Sequence, residues 1–136
     1  MYAKSYINKF FNSIDKYASK VELFRIAYAE FEKCKDPSLQ WIIELSEIMN
    51  WQAMSDRSGV LTYYEVLNID SKQILINNLK AKNESEILSK YSAGINNYNN
   101  EEVMAEIDEW ITKNETKIYK YIEEILITNR EWFYKL

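Results

Sequence analysis

The 136-residue sequence contains no histidine and a single cysteine, Cys34. Without an imidazole, the chain cannot use histidine as a general acid or base, as the partner of a nucleophilic Ser or Cys, or as a zinc ligand. One cysteine forms neither an intramolecular disulfide nor a cysteine metal cluster. The lysines that flank Cys34 would favour its thiolate. No partnering base is evident, so we interpret it as an incidental thiol, with a reactive role as the alternative.

Glycine and proline are scarce as well, since the chain has two Gly and one Pro. Sheets need frequent turns, and the Asn-Gly and Asp-Gly pairs of tight hairpins are absent. Isolated glycines cannot form a phosphate-cradling loop. With 47% hydrophobic and 15% aromatic residues, there is ample material for one core. We therefore predict a single all-α domain over residues 1–136, a helical bundle of about six to eight helices with short connections.

Basic charge is in deficit, with a net charge of −4, and this argues against direct nucleic-acid binding. Residues 1–99 carry 12 Lys/Arg and 12 Asp/Glu, whereas residues 100–136 carry 5 and 9, so the acidic excess lies in the last quarter. No apolar run approaches a membrane span or a signal peptide, so we expect a soluble, cytoplasmic protein. The abundance of Ile, Asn, Lys and Tyr suggests an AT-rich bacterial genome.

Apolar residues recur at steps of three and four along the first segment. They are Tyr6, Phe10, Ile14, Tyr17, Val21, Phe24, Tyr28 and Phe31. One long helix over residues 3–34 would carry this stripe. We favour two helices that meet near Ala18-Ser19, with Ser19 as a cap, because an average helix has about a dozen residues. We interpret the stripe as core; a partner-binding face or a homodimer interface is the alternative.

Asp36-Pro37 is the clearest helix start in the chain, because Asp caps free N–H groups and Pro is tolerated at the first helical position. The helix from Pro37 to about Met54 should bury Trp41, Leu45 and Ile48, and a turn follows over residues 55–59. After Gly59 a short helix is favoured over a lone strand. The next helix should start at Asp70 or Ser71 and end near Lys82. A further helix should start at Asn83 and be ended by Gly94.

The last segment follows an Asn-rich loop over residues 95–100. Its apolar stripe is Val103, Ile107, Trp110, Ile111, Ile118, Ile122, Ile125 and Phe133. We predict a helix that ends near Lys113 and a last helix, capped by Asn114, that runs to about Tyr134. A single kinked helix is the alternative. The opposite face of the first of these helices carries Glu102, Glu106 and Glu109 on adjacent turns.

Residues 51–67 combine Gly59 with the tyrosine pair Tyr63-Tyr64. With no histidine, metal set or phosphate loop near them in the sequence, we interpret these three residues as a structural corner. Gly59 would let the chain leave one helix and enter the next. We expect one of the two tyrosine rings in the core and the other half-exposed.

The segment Ser58-Gly59-Val60-Leu61-Thr62-Tyr63-Tyr64 resembles a degenerate form of a motif of the bacterial DNA-mimic-protein-like domain of unknown function. Family members usually read Asn-Asn-Gly-Gly, an apolar residue, any residue, Gln and two aromatic residues. Gly59 matches the second glycine, Val60 the apolar position, and Tyr63 and Tyr64 the aromatic pair. The resemblance covers roughly residues 40–130. It implies an all-α single domain, and one characterised kind of member imitates DNA with surface carboxylates and sequesters a DNA-binding protein.

These observations predict a non-enzymatic interaction protein that uses no cofactor or metal and binds a protein partner through Glu102, Glu106 and Glu109. A field of helical carboxylates speeds association with a positively charged partner. That partner would be a basic DNA-binding protein, as for a DNA mimic, or a basic toxin, as for an immunity or antitoxin protein. The alternative is a small helical protein that binds a ligand or metal, or acts as an enzyme, through carboxylates and tyrosines.

Overall fold

The computed structural model describes residues 2–34, 36–66 and 68–136, and within them the chain is helical with no strand. Nine α-helices follow one another within these ranges: α1 (Lys4–Phe11), α2 (Tyr17–Cys34), α3 (Gln40–Ser58), α4 (Leu61–Glu65), α5 (Ile69–Ala81), α6 (Ser85–Gly94), α7 (Glu101–Lys113), α8 (Glu115–Thr128) and α9 (Arg130–Tyr134). A 3₁₀ turn, Pro37–Leu39, leads into α3. The all-α bundle is confirmed. The short helix predicted after Gly59 is α4. The number of helices in these ranges exceeds the prediction because the predicted last helix is divided into α8 and α9.

The central element is α3, which packs against α2, α4, α5, α7 and α8. Its side chains at Ile42, Leu45, Ile48 and Trp51 are fully buried, and their spacing of three residues keeps them on the side of the helix that faces the core. Trp41, predicted to be buried, is half-buried and packs edge-on against Trp132. None of the described helices is long and apolar enough to cross a membrane.

Among the described residues, short polar side chains cap three helix starts, those at Asp36, Asn68 and Asn100. Asp36 accepts a hydrogen bond from the Ser38 N–H at 2.9 Å, as predicted. The cap of α5 is Asn68, which accepts from the Ser71 N–H at 3.2 Å, so the predicted start at Asp70 or Ser71 was late. Asn114 separates α7 from α8 without capping α8, because its amide donates to the Trp110 carbonyl at 2.9 Å instead.

Asn83 ends α5 and does not cap α6, contrary to the prediction. Its φ of +57° lies in the left-handed region, which Asn tolerates better than most residues. The N–H of Asn83 bonds to the Lys80 carbonyl at 3.1 Å, and that of Glu84 bonds to the Leu79 carbonyl at 3.0 Å. This pair of bonds is a Schellman motif, which satisfies carbonyls that the end of a helix leaves free.

The break in the first segment is confirmed, but it covers residues 12–16 and not Ala18-Ser19. Ser19 lies buried within α2, where its hydroxyl is 2.7 Å from that of Ser13, so it caps nothing. The last segment has a second break, at Asn129, whose amide donates to the Ile125 carbonyl at 2.8 Å. The predicted helix to Tyr134 is therefore divided into α8 and α9.

Candidate functional site

The corner between α3 and α4 turns on Gly59, whose φ of +101° and ψ of 146° suit glycine and few L-residues. Its N–H bonds to the Met54 carbonyl at 2.9 Å. Asp108 of α7 closes the corner, because its Oδ1 accepts from Ser55 Oγ at 2.6 Å and from the Val60 N–H at 2.9 Å. Sequence reasoning missed Asp108. No local pattern could reveal it, since 48 residues separate it from Val60.

Tyr63 and Tyr64 are both buried, whereas we expected one ring to be half-exposed. Tyr64 Oη accepts from the Trp51 indole N–H at 2.9 Å and donates to the Tyr91 carbonyl at 2.7 Å. Tyr63 Oη donates to Glu47 Oε1 and lies against the Tyr91 hydroxyl, both at 2.5 Å. A network of this kind rigidifies a core, because each buried polar group has a hydrogen-bond partner inside the protein in place of water.

The phenols of this network remain neutral. Burial, above all other causes, raises the pKa of Tyr63, Tyr64 and Tyr91 far above the ordinary phenol value. At Tyr63 the neighbouring Tyr91 and the Glu47 carboxylate raise the pKa further. The three hydroxyls therefore act as hydrogen-bond partners rather than as acids or nucleophiles, and this chemistry fits an architectural corner.

We expect Gly59→Val to lower the free energy of unfolding by about 1–3 kcal/mol, the cost of a strained backbone conformation. Space is not the cause, because an added Cβ would lie 3.6 Å from Asp108 Oδ2, an ordinary contact. Gly59→Ala, which has the same φ strain, should account for most of the loss in urea unfolding. Any partner affinity of the folded fraction should stay unchanged. Weaker binding with full stability would instead make the corner a binding site.

The predicted partner-binding residues Glu102, Glu106 and Glu109 are exposed on one face of α7. They occupy positions i, i+4 and i+7, which share one side of a helix. The opposite face is buried through Met104, Ile107 and Ile111. Glu106 and Glu109 also border a shallow depression of about 240 Å³, where they are joined by Lys90, Trp110 and Lys113. We call Glu102, Glu106, Glu109 and the half-buried Trp110 the α7 surface.

The three carboxylates of the α7 surface differ in their neighbours. Glu109 forms an ion pair with Lys113 at 2.6 Å, and this hydrogen bond lowers the pKa of Glu109. Neither Glu102 nor Glu106 has a Lys or Arg nitrogen within 4 Å in the part of the chain that the structure describes. Two of the three charges are thus available to a partner without breaking an internal pair.

The aromatic stripe of the first segment is not the core that we predicted. Tyr6, Tyr17, Val21 and Tyr28 are exposed, each by about 40%, and the other four members are half-buried at the edge of the core. The helices instead bury Ile7, Phe11, Leu23, Ile26 and Ala27. Small aliphatic residues let α2 approach α3 closely, and a tyrosine can leave its hydroxyl in water. On α2 the stripe lies at the edge of the core, with Tyr17, Val21 and Tyr28 exposed and Phe24 and Phe31 packed against the core. We call the exposed members on α2 the outward stripe.

A notch lies where the outward stripe meets α3 and the start of α5. It has a volume of about 230 Å³ and is lined by Tyr28, Phe31, Ile43, Ser46, Glu47, Asn68 and Ser71. Glu47 is half-buried and also lines a second cavity of about 140 Å³, shared with Tyr63 and Lys72. Sequence reasoning missed Glu47. The only signal was a lone acidic residue between Ser46 and Ile48, which is common on any exposed helix face.

Lys72 is a cation that interacts with Glu47, since the Glu47 charge raises the pKa of Lys72. Burial outweighs that effect and lowers the pKa of Lys72. Its Nζ donates to the Val66 carbonyl at 2.7 Å and lies 4.6 Å from the centroid of the Tyr63 ring. The Lys72 ammonium is thus held by the Val66 carbonyl and the Tyr63 ring, beside the cavity of about 140 Å³.

Cys34 is exposed at the end of α2. Among the described residues, no group of three or more Cys, Asp or Glu side chains is arranged to hold a metal ion. Comparison of the chain with protein-family models, with curated proteins and with solved structures gave no match.

Proposed function

We propose that this chain is a non-enzymatic bacterial protein that binds a protein partner through the α7 surface. The observation that carries the proposal is the pair of exposed carboxylates Glu102 and Glu106, one helical turn apart and free of internal ion pairs within the described residues. Two like charges at this spacing destabilise a helix by only roughly 0.2–0.5 kcal/mol, so the folded protein presents them at small cost. They attract a partner of opposite charge and accelerate encounter.

Trp110 adds an apolar anchor beside these charges. Its ring lies 6.4 Å from that of Trp51, so its inner side is fixed by the core while its outer side borders the depression. Tryptophan is enriched among the residues that dominate interface energies, and a polar rim around it excludes water. An aromatic side chain with carboxylates at its rim suits a partner surface that offers an apolar contact surrounded by Lys or Arg.

The partner is either a basic DNA-binding protein or a basic toxin. The first agrees with the resemblance of residues 58–64 to the DNA-mimic-protein-like domain, in which surface carboxylates stand in for phosphates. The second agrees equally with a mixed surface, since Lys90 and Lys113 lie beside Glu106 and Glu109. A DNA mimic would compete with duplex DNA for the partner, whereas an immunity protein would abolish the activity of a toxin.

The test is a charge reversal of Glu102, Glu106 and Glu109 to Lys. A partner captured from the native host and identified by mass spectrometry is purified, and its affinity for the wild type and the variant is measured by calorimetry. We expect at least a tenfold loss, about 1.4 kcal/mol, with most of it in the association rate and a steeper salt dependence for the wild type. Addition of duplex DNA then separates mimicry from immunity.

The matched control reverses three exposed glutamates elsewhere, Glu65, Glu124 and Glu131, and so changes the net charge equally. The control should keep the affinity within about threefold, because rim charges outside an interface act only through a screened field. Equal losses in both triple variants, or no loss in either, would show that the α7 surface is not the binding site.

A further inference from the structure

The notch between α2, α3 and α5 has the chemistry of a cation site. Glu47 accepts one hydrogen bond, from Tyr63 to Oε1, and in the described part of the chain no Lys or Arg nitrogen lies within 4 Å of its carboxylate. Oε2 is the remaining acceptor. The Glu47 charge is felt by Lys72, but the Lys72 Nζ bonds the Val66 carbonyl and does not pair with Glu47. A cationic group that enters the notch would therefore supply the close ion pair that this half-buried carboxylate lacks.

The walls of the notch favour a flat cation. Tyr28 and Phe31 stand one turn apart on α2, with ring centroids 6.3 Å apart and planes inclined by 41°. Aromatic faces attract cations, and a guanidinium can both stack on a ring and bond a carboxylate through paired N–H groups. Ser46 and Ser71 line the same space, and a serine hydroxyl can accept further N–H bonds.

The electrostatic environment of Tyr28 supports this assignment. Interaction with the Glu32 side chain is the main cause that raises the pKa of the Tyr28 phenol, followed by burial, and the charges of Glu32 and Glu47 add to it. Two carboxylates therefore act on the mouth of the notch. The volume of about 230 Å³ is several times the roughly 30 Å³ that one water molecule occupies, so a side-chain head group fits.

We propose that this notch binds the guanidinium group of an arginine side chain presented by a protein partner. Glu47 Oε2 bonds the guanidinium, and Tyr28 and Phe31 stack on it. A polypeptide is the source, because Tyr28, which lines the notch, is also an exposed member of the stripe along α2, and a free amino acid would leave the rest of that stripe uncovered. The site is separate from the α7 surface, and the proposal does not rest on binding there.

The experiment titrates the ¹⁵N-labelled full chain with N-acetyl-arginine amide and follows backbone amide shifts. We expect saturable shifts at residues 28, 47 and 71, with a dissociation constant on the order of millimolar, the range of a single anchoring group. N-acetyl-citrulline amide has the same shape without the charge and should give no saturable shift. N-acetyl-lysine amide should bind several-fold more weakly, because an ammonium cannot stack or pair in the same way.

Two variants localise the binding. Glu47→Gln should reduce the affinity for the arginine probe at least tenfold while Oε1 continues to accept from Tyr63, so the fold is retained. Tyr28→Ala, at an exposed position, should reduce it several-fold without affecting the core. Glu102→Gln removes one charge outside the notch and should leave the affinity unchanged. Amide spectra and melting curves of each variant establish that the protein is folded.

Several results would overturn the proposal. Equal shifts with the citrulline and arginine probes would show that the positive charge does not contribute to binding. Full affinity in both Glu47→Gln and Tyr28→Ala would show that the probe binds elsewhere. Lysine binding as tight as arginine would exclude a guanidinium-specific site. Free arginine binding more than tenfold tighter than the capped probe would make the site one for a metabolite instead of a polypeptide.

Discussion

Replacing Gly94 by alanine is expected to destabilise the protein by about 3 kcal/mol, the upper end of the cost of overpacking a core. A Cβ at this position would lie 2.1 Å from Cζ, 2.2 Å from Cε2 and 2.6 Å from Cε1 of Tyr64. The ring cannot retreat, because its hydroxyl is bonded to both Trp51 and the Tyr91 carbonyl. Helix α6 must therefore move away from α4, or the network must break.

The sign of this result separates two explanations. Gly94 is the last residue of α6 and has no positive φ, so helix propensity alone predicts that alanine stabilises by up to about 1 kcal/mol. The steric argument predicts the opposite sign and a larger magnitude. Urea unfolding of the full chain measures the difference, and a neutral or stabilised variant would contradict the close approach of Tyr64.

A double-mutant cycle locates the cause of the loss. In a Tyr64→Leu background, the shorter side chain leaves room for the new Cβ, so Gly94→Ala should cost less than about 1 kcal/mol. The Tyr64→Leu change is itself destabilising, because it leaves the buried Trp51 N–H without its acceptor. Only the coupling between the two positions matters. Additive losses would show that the alanine acts on something other than the tyrosine ring.

The fold class could be predicted because it depends on local signals. The apolar steps of three and four and the Asp36-Pro37 pair are signals that lie within a few residues of one another, and the low glycine content favours helices throughout. The structure is helical as these signals predicted. On α8 the apolar stripe was correct, since Ile118, Ile122 and Ile125 are buried. That helix has one apolar face, so periodicity alone identifies the buried side.

On α2 the same reasoning failed because the helix has two apolar faces. Leu23 and Ile26 face the core, whereas Val21 and Tyr28 follow a heptad-like stripe that faces outward. Periodicity reveals both stripes, but burial is decided by how closely α2 approaches α3. The prediction assigned the larger aromatic residues to the core, although a tyrosine is also suited to a surface, where its hydroxyl can contact water.

The candidate sites divide in the same way. Glu102, Glu106 and Glu109 were found from helical spacing, which is local. Glu47 and Asp108 were not, since their significance depends on partners from other helices, such as Tyr63 for Glu47 and Val60 for Asp108. For Gly94 the position at a helix end was predicted, but its physical reason, the ring of Tyr64, depends on the packing of α4 against α6.

Lys20→Met is the second substitution for which we expect a large effect, a loss of about 2–3 kcal/mol of folding free energy. Lys20 is only 1% exposed. Its Nζ donates to the carbonyls of Ile14 and Asp15 at 2.8 and 3.1 Å, and forms an ion pair with Glu123 at 3.1 Å. The Tyr119 ring lies 5.2 Å away. One ammonium thus joins the break after α1 to helix α8.

Replacement of a buried charge by an apolar residue is sometimes neutral, so the expected sign depends on what is left behind. In the described part of the chain, no backbone N–H reaches the Ile14 and Asp15 carbonyls. Methionine fills the space of the lysine stem but donates no hydrogen bond. Both carbonyls then lose their donor in a shielded place, and Glu123, which is 26% exposed, loses its counter-charge. These losses exceed the desolvation that removal of the ammonium recovers.

Lys120→Met is the matched control, because Lys120 is an exposed lysine that lines, together with Lys20, a depression between the break after α1 and α8. It should change stability by no more than about 0.5 kcal/mol. Hydrogen exchange adds a local measurement: in Lys20→Met, amides of residues 12–20 should exchange faster than those of α3 by more than global destabilisation explains. Equal stability of the two variants would mean that the helix break forms without the lysine, and that Lys20 is buried by packing alone.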